Sequence, residues 1–290
     1  MRILVLGATG MLGYQIFNNC LNRDISVNAI VRTKKDLVQR LGNGIEDKLH
    51  IIDDVKNTSA IEHIIREFKP DYLVNCIGII KQSDLAYDHY ESIAINSLLP
   101  HQLLRLGSLY NFRLIHISTD CVFNGERGNY KETDFSDAFD LYGKTKFLGE
   151  VAYGSGITLR TSIIGHAITE QKVSLIDWFL SQTVKTKGYV KAIFSGLTTL
   201  ELAKVILDII IAKKVEPGLY QIASTPIAKF DLLRLTAEIY KKDILIEASD
   251  DVIIDRSLNG TKFSDLTSYK APSWSEMLTE MHADYINNFI

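Results

Sequence analysis

The sequence predicts an α/β fold: a Rossmann-type, doubly wound parallel sheet with a smaller, interleaved C-terminal substrate-binding domain. Three observations predict it. Apolar runs of strand length alternate with helix-like stretches, a glycine-rich turn directly follows the first run, and the pattern changes after about residue 165.

The first run, Ile3–Leu6, leads into Gly7-Ala-Thr9-Gly10-Met11-Leu12-Gly13, and a helix is expected from Met11 to Leu21. Glycine admits positive φ and lets the backbone approach a pyrophosphate, while the helix start offers free N–H groups and a positive dipole end. The spacing Gly-x-x-Gly-x-x-Gly departs from the familiar Gly-x-Gly-x-x-Gly and also fits a plain glycine turn. Its place at residue 7, with the next strand at Ser26–Val31 closing a βαβ unit, favours a dinucleotide. The second strand ends in Arg32-Thr-Lys-Lys35, where an NAD-selective site carries an acidic residue for the ribose hydroxyls. A guanidinium there suits a 2′-phosphate, so NADP(H) is favoured, NAD(H) remaining admissible; Arg32 also fits a solvated helix start.

Further strands are expected at Leu49–Ile52, Tyr72–Cys76, Arg113–Ile117 and Ile157–Leu159. Ligands of doubly wound sheets bind outside the carboxyl ends of the strands, so the segments following these strands and Gly7 to Gly13 should line one crevice. Beyond residue 165 come a helix carrying Leu175, Ile176, Trp178 and Phe179, a helix Thr199–Ile211 and a short strand Gly218–Ile222. Then follow a helix Lys229–Tyr240, a strand Ile244–Glu247 and a final helix from Ser273, where Ser273 and Glu276 have capping-box spacing. The organisation expected is a cofactor domain over 1–165 with a returning segment at about 190–224, and a substrate domain over 166–189 and 225–290.

Asp140-Leu-Tyr142-Gly-Lys-Thr-Lys146 places a phenol and an ammonium four residues apart, on one face of a helix. A phenol with a pKa of ~10 is a poor acid at neutral pH, and an adjacent cation that favours phenolate would fit it for proton transfer. The same spacing also occurs in ordinary surface pairs.

Composition fits a soluble enzyme: 290 residues, 46% of them hydrophobic, can bury a large core. A net charge of −3 gives no electrostatic reason to expect nucleic acid. No apolar run reaches the ~18 residues of a membrane span. A first strand starting at residue 2 leaves no room for a signal peptide, so a cytoplasmic location is expected. Cys20, Cys76 and Cys121 show no paired spacing, and the seven histidines no metal spacing, so neither disulfide nor metal is expected. His116, in an apolar run, is expected to be buried.

Taken together, Gly7 to Gly13, Val74-Asn-Cys76, Ile117-Ser-Thr-Asp120-Cys-Val-Phe-Asn-Gly125, Glu132-Thr-Asp134, Tyr142-Gly-Lys-Thr-Lys146-Phe-Leu-Gly-Glu150, Leu159-Arg-Thr-Ser162 and Arg256-Ser-Leu258 followed by Lys262-Phe263 resemble the extended short-chain dehydrogenases/reductases, in their dTDP-4-dehydrorhamnose reductase-like branch, nearly end to end. The resemblance implies NADPH- or NADH-dependent reduction of the 4-keto group of a nucleotide-linked 6-deoxy sugar, with Thr119, Tyr142 and Lys146 as the catalytic set. It also implies cofactor contacts from Gly7, Thr9, Gly10, Met11, Leu12, Gly13 and Arg32, from Asp54 and Val55 beside adenine, and from Cys76, Ile77 and Gly78 along the adenosine and pyrophosphate.

Within that reading Tyr142 delivers the proton, Thr119 hydrogen-bonds the ketone, and Lys146 supports the tyrosinate and reaches the nicotinamide ribose. Thr119 also fits a strand-end cap, and Asp120 either orients substrate or caps the turn. Lys81, Asn96, Trp178 and Arg256 are candidates to face the nucleotide sugar, although Trp178 also fits a helix core. Gly143 is expected to bring its helix close to cofactor. Dehydratases of the superfamily carry Thr-Asp-Glu where this chain has Thr119-Asp120-Cys121, and a thiol is not an equivalent base. No proline precedes the tyrosine, and Ile77-Gly-Ile-Ile-Lys81 replaces a more polar loop, so the sugar is not specified. The alternatives are an epimerase with bound NAD and a non-catalytic NADP-binding regulatory subunit. A homodimer is admitted.

Overall fold

The computed structural model describes residues 1–81, 83–169 and 174–289. Its strands are β1 (Arg2–Leu6), β2 (Ser26–Val31), β3 (Leu49–Ile51), β4 (Tyr72–Asn75), β5 (Arg113–Ile117), β6 (Gly156–Arg160), β7 (Ile163–Ile164), β8 (Lys185–Phe194), β9 (Leu197–Thr198), β10 (Gly218–Gln221), β11 (Ile227–Ala228) and β12 (Leu245–Asp255). Seven of them form one sheet in the order β10-β6-β5-β4-β1-β2-β3. Every pairing in it is parallel. The Rossmann-type reading holds, with the order reversing between β1 and β4.

The strands of this sheet are apolar runs because both faces are covered. Ile3 and Val5 of β1 pack into one core cluster with Tyr14 and Phe17 of the helix Met11–Asn22. Leu4 and Leu6 point the other way, into a second cluster with Ile61 and Ile65 of the helix Thr58–Phe68 and Leu103 of the helix Leu99–Tyr110. Asn57 starts the helix Thr58–Phe68 by accepting a hydrogen bond from the Ala60 N–H at 3.2 Å. Lys69 ends it in the left-handed region, φ 51°, ahead of Pro70.

A second sheet has the order β11-β8-β12, and β7 pairs with β9. β8 is absent from the elements expected from sequence, because lysines 185, 187 and 191 break its apolar pattern. The strand expected at Ile244–Glu247 is in fact Leu245–Asp255, with an irregular register between Ser249 and Ile253 where Asp250 and Asp251 interrupt the apolar run. The expected helix Thr199–Ile211 widens to π-type turns over Val205–Ile211. The final helix is Trp274–Phe289. The capping box before it is present: the Glu276 carboxylate accepts from the Ser273 N–H at 2.8 Å, and the Ser273 Oγ accepts from the Glu276 N–H at 3.3 Å.

Candidate active site

The glycine turn is built as a cradle. Gly7 has φ +84°, and its N–H donates to the Ile30 carbonyl at 3.1 Å, tying the end of β1 to β2. A Cβ on Gly13 would stand 2.2 Å from the Gly7 carbonyl oxygen, so only glycine lets the helix start lie this close to the turn. The first turn of that helix carries no acidic side chain. The N–H groups and dipole end there suit an anion. Arg32 stands exposed just past β2, and Asp54 stands exposed beyond β3 with Val55 half-buried beside it. Asp54 Oδ1 accepts from the Lys56 N–H at 2.9 Å.

At the mouth of the sheet lies a cavity of about 390 Å³. Met11, Cys76, Ile77, Gly78, Lys81, Thr119, Asp120, Tyr142, Lys146 and Arg256 all line it, so one wall gathers residues separated by up to 245 positions in the chain. Gly7, Thr9, Gly10, Leu12, Gly13, Arg32, Asp54 and Val55 lie along the strand ends, outside its lining. The lining also includes Ser162, named from sequence only within the Leu159–Ser162 motif, and Ile164, Ile193, Phe194, Lys229 and Ile254, none of them singled out from sequence. Ile193 and Phe194 come from β8, and only the alternation of small or apolar residues with lysines over 185–188 signals that strand.

The helix Leu141–Leu148 presents the phenol and the ammonium. Asp140 caps it, accepting from the Gly143 N–H at 2.8 Å, and also accepts from Lys81 Nζ at 2.7 Å. Burial works against the Asp140 carboxylate, but the Gly143 N–H and the Lys81 ammonium outweigh it and hold the group below the usual carboxylate range. Lys81 also lies over the Tyr142 ring, 5.7 Å from its centroid. In this state Lys81 therefore pins its loop to the cap of the Tyr142 helix. Glycine at 143 lets the helix pack closely on the segment after β5: a Cβ there would stand 2.2 Å from the Cys121 carbonyl oxygen.

Lys146 is 4% exposed, and its Nζ donates to the Ile117 carbonyl at 2.6 Å. Burial pulls its pKa down to about 8, opposed by the Glu150 carboxylate and the Cys76 thiol. The expectation that the lysine draws the phenol down is not met here. Burial pushes Tyr142 above the ordinary phenol range, the neighbouring Cys121 adds to this, and the Thr119 hydroxyl's hydrogen bond only partly offsets it. Desolvation outweighs the cation because the ammonium is turned to the backbone at the end of β5.

Thr119 Oγ1 accepts from the Cys121 N–H and donates to Asp120 Oδ1, both at 3.1 Å, so the cap expected of it exists and its hydroxyl still faces the cavity. Burial, with the Asp120 charge, pushes the Cys121 thiol up to about 12. It stays neutral near pH 7 and is no base. Arg256 reaches in from the end of β12: its Nε donates to the Phe123 carbonyl at 2.8 Å, and its Nη1 lies 3.7 Å from Cys121 Sγ.

Two candidates fall away from the cleft. Asn96 is 1% exposed, with its Oδ1 accepting from the Ile79 N–H at 2.8 Å and its Nδ2 donating to the Ile79 carbonyl at 2.9 Å. It braces the loop after β4 instead of meeting a sugar. Trp178 is 40% exposed on the helix Leu175–Ser181 and lines neither cleft nor core. His116 is buried as expected, and desolvation holds its pKa well below the ordinary histidine value.

Residues 1–176 match the family model described as the RmlD substrate binding domain. Methionine adenosyltransferase 2 subunit beta of Bos taurus is 28% identical over 153 residues, 52% of this chain and 42% of that protein. A dTDP-4-dehydrorhamnose reductase of Aggregatibacter actinomycetemcomitans is 31% identical over 114 residues, 38% of this chain and 39% of that protein. The chain thus spans less than half the length of the curated relatives it matches. Among solved structures, a dTDP-4-dehydrorhamnose reductase from Bacillus anthracis in complex with NADP superposes with a TM-score of 0.80 at 18% identity, covering 98% of this chain and 99% of that one. The Bordetella bronchiseptica enzyme WbmG in complex with NAD gives a TM-score of 0.78 at 17% identity, over 99% and 94%. At these identities the likeness is one of fold.

Proposed function

The chain belongs to the RmlD substrate-binding-domain family, and on that premise we propose that it reduces the 4-keto group of a nucleotide-linked 6-deoxy sugar, with NADPH as the favoured cofactor. One observation carries the reading: Thr119, Tyr142 and Lys146 line a single cavity together with Met11 of the glycine-turn helix. The turn fits a dinucleotide, since positive φ at Gly7 and the missing Cβ at Gly13 leave the N–H groups of the helix start open to a pyrophosphate. Gly7, Thr9, Gly10, Met11, Leu12 and Gly13 would hold it there, Asp54 and Val55 would flank adenine, Cys76, Ile77 and Gly78 would line the adenosine side, and Arg32 would take a 2′-phosphate. The reduced nicotinamide, when bound, supplies the hydride.

The rest is work for the chain's own groups. A carbonyl receiving hydride becomes an alkoxide, and Tyr142 holds a proton for that oxygen; a phenol kept above its ordinary pKa has this proton in place at neutral pH. Thr119 would turn its hydroxyl from Asp120 to the ketone oxygen, with Asp120 then free to orient sugar hydroxyls. Lys146, in place beneath the phenol's helix turn, would reach the nicotinamide ribose and supply positive charge as the alkoxide forms. Lys81 and Arg256, cations on the cavity wall, would face the diphosphate. Neutral Cys121 supports reduction over dehydration, which needs a base at that position.

A panel of dTDP-, UDP- and GDP-linked 4-keto-6-deoxy sugars, offered with NADPH and with NADH, tests this directly. Oxidation of NADPH with at least one sugar, at higher kcat/KM than NADH, is the expected result; none with any sugar overturns it. A second reading, a non-catalytic NADP-binding subunit, is favoured by relatives named methionine adenosyltransferase 2 subunit beta. NADPH binding without turnover across the panel would put it first.

The same reading makes the chain a cytoplasmic homodimer. Three unbridged cysteines fit a reducing compartment. Among the described residues no helix is long and apolar enough to cross a membrane. Ile93, Leu98, Phe147 and Leu148 leave apolar side chains exposed on two adjoining helical segments, the kind of face a second copy covers. Sedimentation at micromolar concentration should give twice the chain mass, and a monomer there removes the dimer.

A further inference from the structure

Four residues beyond Lys146 stands a carboxylate that the chemistry above does not use. Glu150 is buried and held on three sides: Ser118 Oγ donates to its Oε1 at 2.7 Å, Arg160 Nε to the same oxygen at 2.8 Å, and Arg160 Nη2 to Oε2 at 2.7 Å. The side chains are 2% exposed for Arg160 and 8% for Glu150. Ser118 follows β5, whose last carbonyl receives the Lys146 ammonium, and Arg160 ends β6. The guanidinium also lies over the Phe123 ring, 5.1 Å from its centroid. Gly149, just before the carboxylate, allows the approach: a Cβ there would stand 1.9 Å from the Asn96 carbonyl oxygen.

We propose that Glu150 is a positioning residue for Lys146: clamped by Ser118 and Arg160, it fixes the end of the helix that carries the lysine and supplies a buried negative charge one turn away. A buried ion pair is weak evidence of stability, since desolvation offsets most of its attraction, and its placement argues instead for a local electrostatic task. Apart from the Arg160 guanidinium that Glu150 binds, the titratable groups beside the lysine are neutral near pH 7. Burial raises the Cys76 thiol to about 12, keeps His116 on β5 deprotonated, and keeps the Tyr142 phenol protonated. Glu150 is thus the negative charge that favours the ammonium, through an interior where charges are poorly screened, with Arg160 on its far side opposing it in part.

The inference rests on Lys146 having the role proposed above, so its test reads the lysine itself, without turnover. In competitive labelling with trace acetic anhydride, read at Lys146 by peptide mass spectrometry, only the neutral amine reacts. Labelling of the wild type should rise with pH about a midpoint near 8. Glu150→Gln keeps the shape and removes the charge, which favours the neutral amine, so the midpoint should fall by about one unit. Because Glu150→Gln leaves Arg160 buried and unpaired and can fail to fold, Glu150→Gln/Arg160→Met, with no orphaned charge, is measured beside it; it should shift in the same direction but by less, because the opposing guanidinium is removed too. An unmoved midpoint in the variant that folds overturns the proposal, as does a fall in turnover equal at every pH with that midpoint unmoved. A lowered midpoint in a protein that turns over no sugar on the panel upholds the role of Glu150 and removes the proposed activity instead.

Discussion

Tyr142→Phe is expected to lower kcat for ketone reduction by about 10²- to 10⁴-fold, the contribution of a positioned general acid, while leaving NADPH affinity near that of the wild type. The substitution keeps the ring that lies under Lys81 and removes one hydroxyl, and with it at most one hydrogen bond. A lost hydrogen bond of this kind costs about 1 kcal/mol, whereas the expected rate loss corresponds to roughly 3 to 5 kcal/mol in the barrier. Destabilisation therefore cannot imitate the loss, and a thermal melt separates the two. Steady-state oxidation of NADPH gives kcat, and quenching of protein fluorescence on NADPH addition gives affinity. Undiminished turnover in this variant would remove Tyr142 as the acid. The wild-type pH profile carries a second check. The phenol titrates above its ordinary range, so the alkaline limb should follow Lys146, with full activity while the ammonium persists and loss as pH rises through about 8.

The sequence made the central sheet legible because its strands are buried on both faces and read as uninterrupted apolar runs. Ser26–Val31 and Arg113–Ile117 coincide with the strands, and the others agree within a residue at either end. The second sheet is half-exposed and interrupted by charge, so β8 is not among the expected strands and the strand expected at Ile244–Glu247 covers three of the eleven residues of β12. The cleft divides along the same line. Tyr142 and Lys146 are legible because chemistry and helical spacing coincide within five residues, and Thr119 because it follows an apolar strand. The burial that moves their pKa values is tertiary. Sequence spacing placed an ammonium beside a phenol and forecast a lowered phenol; the fold turns that ammonium to the Ile117 carbonyl and raises the phenol instead. The bracing role of Asn96 and the clamp on Glu150 are not legible in sequence for the same reason, since their partners Ile79, Ser118 and Arg160 are set by packing between elements and not by local pattern.

Gly13→Ala sets two effects of opposite sign against each other at the cofactor cradle. Alanine in the helix Met11–Asn22 gains up to about 1 kcal/mol in helix propensity over glycine. Its Cβ, however, would stand 2.2 Å from the Gly7 carbonyl oxygen, 2.8 Å from the Gly7 carbonyl carbon and 3.0 Å from the Ala8 Cα. All three are backbone atoms, and the turn they belong to is fixed by the hydrogen bond from Gly7 N–H to Ile30. The clash cannot be relieved by a rotamer, so the helix must lift away from β1, with overpacking of about 1–3 kcal/mol that outweighs the propensity gain. Lifting the helix also withdraws the N–H groups that make the anion site, so NADPH affinity should fall at least about tenfold, the equivalent of some 1.4 kcal/mol. Gly10→Ala provides the contrast: the Gly7 carbonyl oxygen would be 3.3 Å from its Cβ and no other heavy atom comes within 4 Å, so its fold should survive with a smaller loss of binding. Fluorescence titration with NADPH and a thermal melt on each variant measure both quantities. Gly13→Ala binding NADPH as tightly as the wild type would mean that the dinucleotide does not lie on this turn.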